Sequence, residues 1–352
     1  MINSKGGCKL PLIYSLLKSL SCMKKIKAVA LFSGGLDSLL SVRIMLNMNI
    51  HIYAIHFKTP FLSQKEDNVE QVKKSARTLN IDLTTYSFGK EYIEMVKQPQ
   101  FGYGKNVNPC IDCRIMMLKE AKKYMEKLKA DLIITGEVLG ERPMTQNKKT
   151  MALIEKESGL SGKIIRPLSA KLLEPIIAEK SGLIKRDMLF AISGRSRKPQ
   201  IKLAETFGIT SYPSPAGGCL LTDPIFAKKL KNAFRYGEDT INDIILLQYG
   251  RHFRLPSGAK IIVGRNQAEN KTIPTFLRRN DICLEALGVP SPLVILRNSK
   301  GEDDVQISAS ICLKYSDWKE ETGKVSYWSG EEEKKFVVVK KIPSGDLQKM
   351  RC

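Results

Sequence analysis

Several familiar signatures are missing from this sequence. It has no GxxxxGK[ST] phosphate loop and no GxGxxG dinucleotide fingerprint, so two well-known nucleotide-binding motifs are excluded. The N-terminal apolar stretch LPLIYSLLKSL has 11 residues, too few to span a bilayer, although a lysine-flanked segment of this kind can imitate a signal peptide. The eight cysteines show no dense disulfide spacing. We therefore expect a cytoplasmic protein without a membrane partner.

Acidic residues are also in short supply. The 352 residues include 36 Asp and Glu against 57 Lys and Arg, a formal net charge of +21. Such an excess favours a phosphate-rich partner, because cation–phosphate contacts release counterions. A solvated, lysine-rich surface would give the same balance. With 43% hydrophobic residues, a chain of this length can bury the cores of two domains.

The most informative segment that is present is Ser33-Gly34-Gly35-Leu36-Asp37-Ser38. It follows the apolar run KAVALF and precedes the helix-like run LLSVRIML. Paired glycines between a strand and a helix let backbone N–H groups approach phosphate oxygens, and the helix N-terminus adds positive potential. The segment therefore predicts a nucleotide-binding loop rather than an ordinary glycine-rich turn.

Short apolar strands alternate with amphipathic helices through the first part of the chain. Strands are predicted at KAVALF, IHIYAIHF, DLTTYSF and DLIITG, and helices at NVEQVKKSARTLN and CRIMMLKEAKKYMEKLK. This βαβ order predicts an α/β fold with a doubly wound parallel sheet, whose ligands gather at the carboxyl ends of the strands. His56 and Gly136 lie at two of these ends and should converge on the glycine loop.

Three cysteines stand in chemically informative settings. Cys110 and Cys113 form a CxxC in NPCIDC, just before the long predicted helix, where two sulfurs can reach one metal or each other. Cys219 lies in PSPAGGCLLTDP, where proline and glycine predict a tight, exposed loop. Redox dithiols, zinc sites and iron–sulfur sites share the CxxC spacing, as does a chance pair. The other cysteines are expected to be structural or incidental: Cys8, Cys22, Cys283, Cys312 and Cys352.

The hexapeptide resembles the SGGxDS signature of the PP-loop ATP pyrophosphatases, which share the adenine nucleotide alpha hydrolase-like fold. These enzymes cleave ATP between the α- and β-phosphates and leave an adenylated intermediate. The resemblance implies ATP and Mg²⁺ as cofactors. It also implies that Asp37 lies near the Mg²⁺ and that the pyrophosphate is held by Ser33, Gly34, Gly35 and Ser38.

SGGLDS, NPCIDC and GGC, in this order, resemble the PP-loop tRNA thiolation enzymes, the 2-thiouridylases and 4-thiouridine synthetases, over about residues 24–230. TGEVLG and the later Gln146 are similar to the synthetase motif TGExLGQ. This resemblance extends the implied ATP site to His56, Arg114, Gly136 and Gln146. The sequence departs from the family at Glu141, where glutamine is expected, and we detect no rhodanese domain and no RNA-capture domain of the synthetase type.

Thiolation of this kind needs an activated carbonyl and a source of sulfur. ATP would adenylate a uridine carbonyl oxygen, and AMP would leave as sulfur attacks the same carbon. One route uses a persulfide on Cys113 or Cys219, with the other cysteine releasing sulfide by forming a disulfide. Another holds a [4Fe–4S] cluster on Cys110, Cys113 and Cys219, whose fourth iron binds exogenous sulfide. The count of three cysteines favours the cluster, and zinc on three cysteines is a further alternative.

A basic stretch lies between the TGEVLG and GGC motifs. RPLSAKLLEPIIAEKSGL and SGRSRKPQIKLAETFGI are predicted to be a helical extension of the catalytic domain. Their basic residues would line a phosphate track for RNA or simply face solvent. These residues are Arg166, Lys171, Arg195, Arg197 and Lys198.

The C-terminal part differs in composition and predicts a second, smaller α+β domain. GRNQAEN, RRNDICLEALGVPSPLVILRN and VSYW resemble the RNA-binding domain of NFACT-type proteins over about residues 249–345. Glu285 stands where that family often has histidine, so a binding role of the histidine does not carry over. A basic dimerisation module is the alternative. The predicted phosphate contacts are Arg251, Arg254, Lys260, Arg265, Arg278 and Arg279.

These features predict an N-terminal extension at 1–22, a PP-loop catalytic domain at 23–231 and an RNA-binding domain at 232–352. The predicted function is ATP-dependent tRNA thiolation, with catalytic roles for Asp37, Cys113 and Cys219 and with tRNA and an unidentified sulfur donor as partners. A PP-loop ligase or amidotransferase acting on a small metabolite would not need three placed cysteines. A non-catalytic RNA-binding protein would not need to keep Asp37 and Ser38.

Overall fold

The computed structural model describes residues 26–62, 69–213 and 219–352. The predicted extension at 1–22 and most of the predicted loop before Cys219 lie outside these residues. The chain divides into two compact units. In the described residues, the first unit comprises 26–57, 69–86 and 114–213, and the second comprises 58–62, 87–113 and 219–352.

The strands are short and rich in β-branched and other apolar residues, as buried strands require. In chain order they are β1 (Lys27–Leu31), β2 (His51–Lys58), β3 (Asp82–Ser87), β4 (Leu132–Ile134), β5 (Ile164–Ile165), β6 (Arg251–Arg254), β7 (Lys260–Val263), β8 (Ile282–Ala286), β9 (Val294–Arg297), β10 (Thr322–Ser329) and β11 (Lys335–Lys340).

The helices vary from one turn to five. In chain order they are α1 (Leu36–Leu46), α2 (Val69–Thr78), α3 (Lys90–Lys97), α4 (Cys110–Leu128), α5 (Lys148–Ser158), α6 (Ile177–Lys180), α7 (Lys198–Thr206), α8 (Pro224–Arg235), α9 (Ile241–Leu246), α10 (Gln267–Thr272), α11 (Glu302–Tyr315) and α12 (Ser344–Met350). Within the described part of the chain, none of them has the length and apolar composition needed to cross a membrane.

The first unit is built on a sheet with strand order β3-β2-β1-β4-β5. β1 pairs in parallel with β2 on one side and with β4 on the other, so that Ala28 lies opposite both Ile52 and Leu132. β4 in turn pairs in parallel with β5. The strand order reverses at β1, and this reversal creates the crevice in which doubly wound sheets bind ligands. The predicted α/β fold is confirmed.

Helices cover this sheet because their apolar faces complete one core. Leu40 of α1, Ala76 of α2 and Ala204 of α7 are buried in a single cluster with Ile52 of β2. Burying a side chain the size of leucine contributes about 1.5–3 kcal/mol. The core therefore holds the start of α1 firmly against the end of β1.

Helix α4 begins earlier than predicted. The Cys113 N–H donates to the Pro109 carbonyl at 2.9 Å, which closes the first turn three residues before the predicted start. The CxxC therefore lies on the first turn of the helix rather than before it. Cys110 and Cys113 are separated by about one helical turn and share one face.

The second unit contains an antiparallel sheet of order β11-β10-β8-β9-β7-β6. Leu313 of α11 packs with Ile261 on one face of this sheet. The other face buries Ile262 and Ile295 with Leu246 of α9. Adjacent residues of β7 thus enter opposite cores, as the period of a strand requires. The predicted α+β arrangement is confirmed.

The division into units does not follow the predicted boundary at residue 231. Residues 58–62 and 87–113 belong to the second unit together with the C-terminal residues. Within that unit, the rings of Phe61 and Phe226 lie 6.3 Å apart, and Lys97 Nζ lies 2.6 Å from Asp239 Oδ2. These segments follow β2 and β3 in sequence, but long-range contacts that local patterns do not encode join them to the C-terminal part.

Candidate functional site

The SGGLDS segment forms a loop between β1 and α1. Gly34 has a φ of +75°, a left-handed conformation that favours glycine, and a Cβ there would lie 3.1 Å from Val72 Cγ2. Gly35 is the N-cap residue of α1, and no side chain in the described residues caps this turn. The first backbone N–H groups of α1 are therefore available to an anion at the positive end of the helix.

Two serine hydroxyls line this loop. Ser38 Oγ donates to the Gly35 carbonyl at 2.8 Å and lies 3.3 Å from Ser33 Oγ. Ser33 Oγ also accepts from the Gly35 N–H at 3.3 Å. The structure thus brings the predicted pyrophosphate ligands together on one turn, where hydroxyl and amide donors can share the same phosphate oxygens.

Gly136 lies directly against the start of α1. A Cβ at this position would be 2.7 Å from the Ser38 backbone N and 2.8 Å from the Asp37 carbonyl carbon. Because β4 ends at Ile134, this contact joins the carboxyl ends of the neighbouring strands β1 and β4. The predicted convergence of Gly136 with the loop therefore has a steric basis: only glycine fits between the two backbones.

Asp37 lies near side chains of both charges. Burial raises the pKa of Asp37, and the charges of Arg197 and Arg142 lower it without cancelling the effect of burial. Burial also raises the pKa of Glu141, and the negative charge of Asp37 adds to that rise. Carboxylates and guanidiniums in one neighbourhood suit a ligand that combines a cation with phosphates. Neither Arg142 nor Glu141 was predicted to belong to this site, and Arg197 was predicted to line a phosphate track for RNA.

Two predicted ATP contacts also have partners within the protein. His56 Nδ1 lies 3.0 Å from the Phe32 carbonyl, and since a carbonyl can only accept, Nδ1 bears the proton. Gln146 is buried, and its Oε1 accepts from the Arg142 N–H at 3.0 Å. Gln146 therefore shapes the loop that leads to α5. Direct contact of either side chain with ATP stays a prediction.

Arg114 is part of a buried ionic network. Its Nε lies 3.1 Å from Glu137 Oε1, and Arg166 Nε donates to Glu137 Oε2 at 2.9 Å. Arg166 also pairs with Glu155. Burial opposes the ionisation of Glu137, but the positive charges of Arg114 and Arg166 outweigh it and lower the pKa of Glu137. The network holds Arg114 by an ion pair to a fixed, ionised carboxylate.

This network corrects one prediction. Arg166 is only 4% exposed, so it cannot line a phosphate track for RNA. Its basic neighbours in sequence do face solvent, namely Lys171, Arg195 and Lys198. The sequence pattern could not separate them, because the carboxylates that neutralise Arg166 lie 11 and 29 residues away in the chain.

In the second unit, Cys110 and Cys113 are half-buried thiols on the first turn of α4. Asp112, which lies between them, is buried and accepts from the Gln100 N–H at 2.8 Å and the Phe101 N–H at 3.2 Å. These two hydrogen bonds anchor the turn to the preceding segment. The carboxylate is thereby used for structure rather than for binding a ligand.

Cys219 is held beside the loop that precedes this turn. The Val107 N–H donates to the Leu221 carbonyl at 3.2 Å, and Asn106 Nδ2 donates to the Thr222 carbonyl at 2.6 Å. Thr222 Oγ1 also donates to the Cys219 carbonyl at 2.7 Å. The segment that contains Cys219 is therefore fixed by hydrogen bonds to residues just before the CxxC.

Tyr92, which no sequence motif pointed to, contacts one of the three candidate cysteines. Its hydroxyl donates to Cys113 Sγ at 2.9 Å. Burial raises the pKa of Tyr92 well above its ordinary value, and the charges of Cys113, Cys219 and Cys110 raise it further. All three sulfurs are thus close enough to influence one hydroxyl. In sequence, Tyr92 is an ordinary apolar-face residue of α3.

The described residues contain no group of three or more His, Cys, Asp or Glu side chains arranged to hold a metal ion. The three-cysteine ligand set therefore stays a prediction. Cys283 and Cys312 are buried, and burial raises the pKa of each thiol to about 11, as expected of structural cysteines. Cys8 and Cys22 lie outside the described residues.

Two predicted RNA contacts are buried instead. Arg254 donates to both carboxylate oxygens of Glu238, at 2.8 and 2.9 Å, and Lys260 pairs with the same carboxylate. Burial opposes ionisation of Glu238, but its contacts with Arg254 and Lys260 outweigh this effect and lower its pKa. Because both cations are buried and paired with Glu238 inside the domain, the prediction that Arg254 and Lys260 contact phosphates is corrected.

The other predicted phosphate contacts keep access to solvent. Arg279 is exposed, and the side chains of Arg265 and Arg278 are 44% and 43% exposed although each pairs with a carboxylate. Arg251 is half-buried, with its guanidinium 4.8 Å from the centre of the Tyr315 ring. These four arginines remain the candidates for RNA binding on this domain.

The doubly wound parallel sheet, with its glycine loop at the point where strand order reverses, is the arrangement expected of an α/β domain of the PP-loop class. Residues 24–182 match the family described as "Thiamine biosynthesis protein (ThiI)", and residues 250–351 match the "NFACT protein RNA binding domain". The chain therefore combines a ThiI-family domain with an NFACT-type RNA-binding domain. Both resemblances found in the sequence are confirmed.

Curated relatives of the chain include two archaeal proteins, each named "Probable tRNA sulfurtransferase". The protein from Methanocaldococcus jannaschii is 27% identical over 147 residues, which is 40% of this chain and 36% of the relative. The protein from Thermococcus kodakarensis is 28% identical over 174 residues, which is 46% of this chain and 42% of the relative. The chain thus spans less than half the length of these relatives.

Two solved structures are also similar. A 4-thiouridine synthetase in complex with RNA and ATP is 22% identical, covers 63% of this chain and 52% of its own, and has a TM-score of 0.36. The U34-tRNA thiolase NcsA of Methanococcus maripaludis, with its [4Fe–4S] cluster, is 16% identical, covers 68% of this chain and 80% of its own, and has a TM-score of 0.33.

Proposed function

We propose that this protein is an ATP-dependent tRNA sulfurtransferase, which adenylates a uridine carbonyl and replaces its oxygen with sulfur. The main support is the glycine loop of a ThiI-family domain. This loop lies where the strand order reverses, and Gly136 packs against the start of the helix that follows it. The names of the curated relatives agree with this activity. The three cysteines near Tyr92 add the sulfur chemistry that a simple ATP pyrophosphatase would lack.

In the proposed first step, the uridine carbonyl oxygen attacks the α-phosphate of ATP and pyrophosphate leaves. The N–H groups at the start of α1 and the hydroxyls of Ser33 and Ser38 would bind the pyrophosphate oxygens. Arg142 and Arg197 would stabilise the negative charge that develops on the leaving group. Asp37 would hold Mg²⁺, which would offset the negative charge of the phosphates.

Arg114 is a further proposed contact for ATP, and its guanidinium is held in place by the protein. The Arg114–Glu137 ion pair sets the position of its guanidinium, and Arg166 keeps Glu137 ionised and in place. A guanidinium held in this way pays little entropy on binding a phosphate. The buried pair Glu137 and Arg166 would therefore act as positioning residues.

In the proposed second step, a sulfur nucleophile attacks the adenylated carbon, the C–O bond breaks and AMP leaves. Cys110, Cys113 and Cys219 would hold a [4Fe–4S] cluster, which would supply an iron-based binding position for sulfide. Cysteine thiols are the donors that such a cluster takes, and all three of these thiols are half-buried. The persulfide route would use Cys113 and Cys219 and leave Cys110 without a role.

The NFACT-type domain would bind the tRNA substrate. Arg265, Arg278 and Arg279 are exposed basic residues within the matched region and would contact phosphates. Contacts of this kind orient the RNA without reading its sequence. The choice of uridine would therefore depend on the shape of the tRNA.

Mass spectrometry of tRNA nucleosides tests the proposal. A strain without this gene should lack one thionucleoside, the wild-type gene should restore it, and Asp37→Asn should not. Gly345→Ala is a matched control, because a Cβ there meets no atom within 4 Å. An unchanged thionucleoside profile in the deletion strain would refute the proposed function.

A further inference from the structure

We propose that Tyr92 is a positioning residue for Cys113, and that its hydrogen bond to the sulfur raises the reduction potential of the [4Fe–4S] cluster. The redox part of this inference rests on the proposed function, which assigns the cluster to the three cysteines. The hydrogen bond itself is a property of the polypeptide and can be tested without iron.

The contact is well defined. Tyr92 is 2% exposed, and its hydroxyl donates to Cys113 Sγ at 2.9 Å. The ring is packed against Phe88, at a centroid distance of 5.3 Å, and Phe61, at 5.9 Å. The aromatic neighbours leave the ring little freedom to turn, so its hydroxyl is aimed at one sulfur.

The segment that carries Tyr92 is held in place by further contacts within the second unit. Tyr92 lies on helix α3. Lys97, at the C-terminal end of this helix, pairs with Asp239 at 2.6 Å within the same unit. Phe61 also contacts Phe226 of α8, the helix that follows the Cys219 segment. One aromatic cluster therefore supports the tyrosine and the element next to the third cysteine.

A hydrogen bond to a ligating sulfur has a predictable effect on a cluster. The donor withdraws electron density from the thiolate, and it stabilises the reduced cluster more than the oxidised one, because the reduced form has more negative charge. Removing the donor should therefore lower the reduction potential. If Tyr92 only filled space, its replacement by phenylalanine would leave the reduction potential unchanged.

The hydrogen bond is tested first in the metal-free, full-length protein. Denaturant unfolding of the wild type, Tyr92→Phe, Cys113→Ala and the double variant forms a double-mutant cycle. We expect a coupling that changes the unfolding equilibrium constant by about 2- to 10-fold, the size of one hydrogen bond. Tyr103→Phe is the matched control, because Tyr103 donates instead to the Val96 carbonyl at 2.7 Å and should not couple to Cys113.

The redox role is tested after anaerobic reconstitution with iron and sulfide. Tyr92→Phe should keep the wild-type iron and sulfide content, and the midpoint potential of its cluster, followed by electron paramagnetic resonance, should become more negative. Tyr103→Phe should leave the potential unchanged. A variant with full iron and the wild-type potential overturns the redox role. A wild-type protein that binds no iron overturns the cluster and its redox role, and a cycle without coupling overturns the hydrogen bond together with the redox role that depends on it.

Discussion

Replacing Gly136 with alanine tests whether the end of β4 closes the nucleotide loop. The new methyl would lie 2.7 Å from the Ser38 backbone N and 3.0 Å from the Asp37 carbonyl oxygen, where ordinary contact starts at 3.4 Å. Both neighbours are backbone atoms, so one strand end must move by about 0.7 Å, and overpacking of this kind costs about 1–3 kcal/mol. If the loop moves, ATP binding loses the same free energy, or about 5- to 150-fold in Kd.

The assay is calorimetric titration of the full-length variant with ATP, together with thermal unfolding to confirm that the fold persists. Gly345→Ala is the control, since its methyl would enter open space. It should bind ATP as the wild type does. If Gly136→Ala bound ATP with wild-type affinity and unfolded at the wild-type temperature, Gly136 would not close the nucleotide site.

Four further predictions concern charge and sulfur. Arg279→Ala should weaken RNA binding in a filter assay with stability unchanged within about 0.5 kcal/mol. Arg254→Ala should instead lower the free energy of unfolding by about 1.5–3 kcal/mol, because it removes two hydrogen bonds to the buried Glu238 carboxylate and leaves only Lys260 paired with it; equal stability of the two variants would contradict this. Cys219→Ala should lose iron after reconstitution, and full iron would refute the ligand set. Burial lowers the pKa of Lys229 to about 8 from 10.5, so the unfolded chain binds more protons between these values and stability should rise with pH there. Lys229→Met should flatten that rise in unfolding titrations.

Local patterns predicted the elements of the parallel sheet well. KAVALF became β1, and DLIITG contained β4, because short buried strands are near-continuous apolar runs whose identity does not depend on distant residues. Gly34 and Gly136 were also foreseeable, since a loop between strand and helix needs glycine where backbones approach closely.

Side-chain partners were not predictable in the same way. The sequence predicts that Arg254 and Lys260 are surface cations. In the structure both pair with Glu238, which is 16 and 22 residues away in the chain. In the sequence, Tyr92 has the position of an apolar residue on an amphipathic helix. Its hydroxyl has an acceptor only because the fold brings Cys113, 21 residues later in the chain, into contact with it. Such pairs depend on how elements pack, and no periodicity in the sequence encodes that packing.

The sequence by itself determined the α/β order of the first unit, the glycine loop that begins α1 and the presence of three candidate cysteine ligands, because each follows from local composition and spacing. Only the tertiary structure decided which basic residues are buried ion-pair partners and which face solvent, and which hydroxyl meets which sulfur. The physical reason is desolvation. A charge or a polar group changes its role when it leaves water, and whether it leaves water is settled by residues far away in the chain.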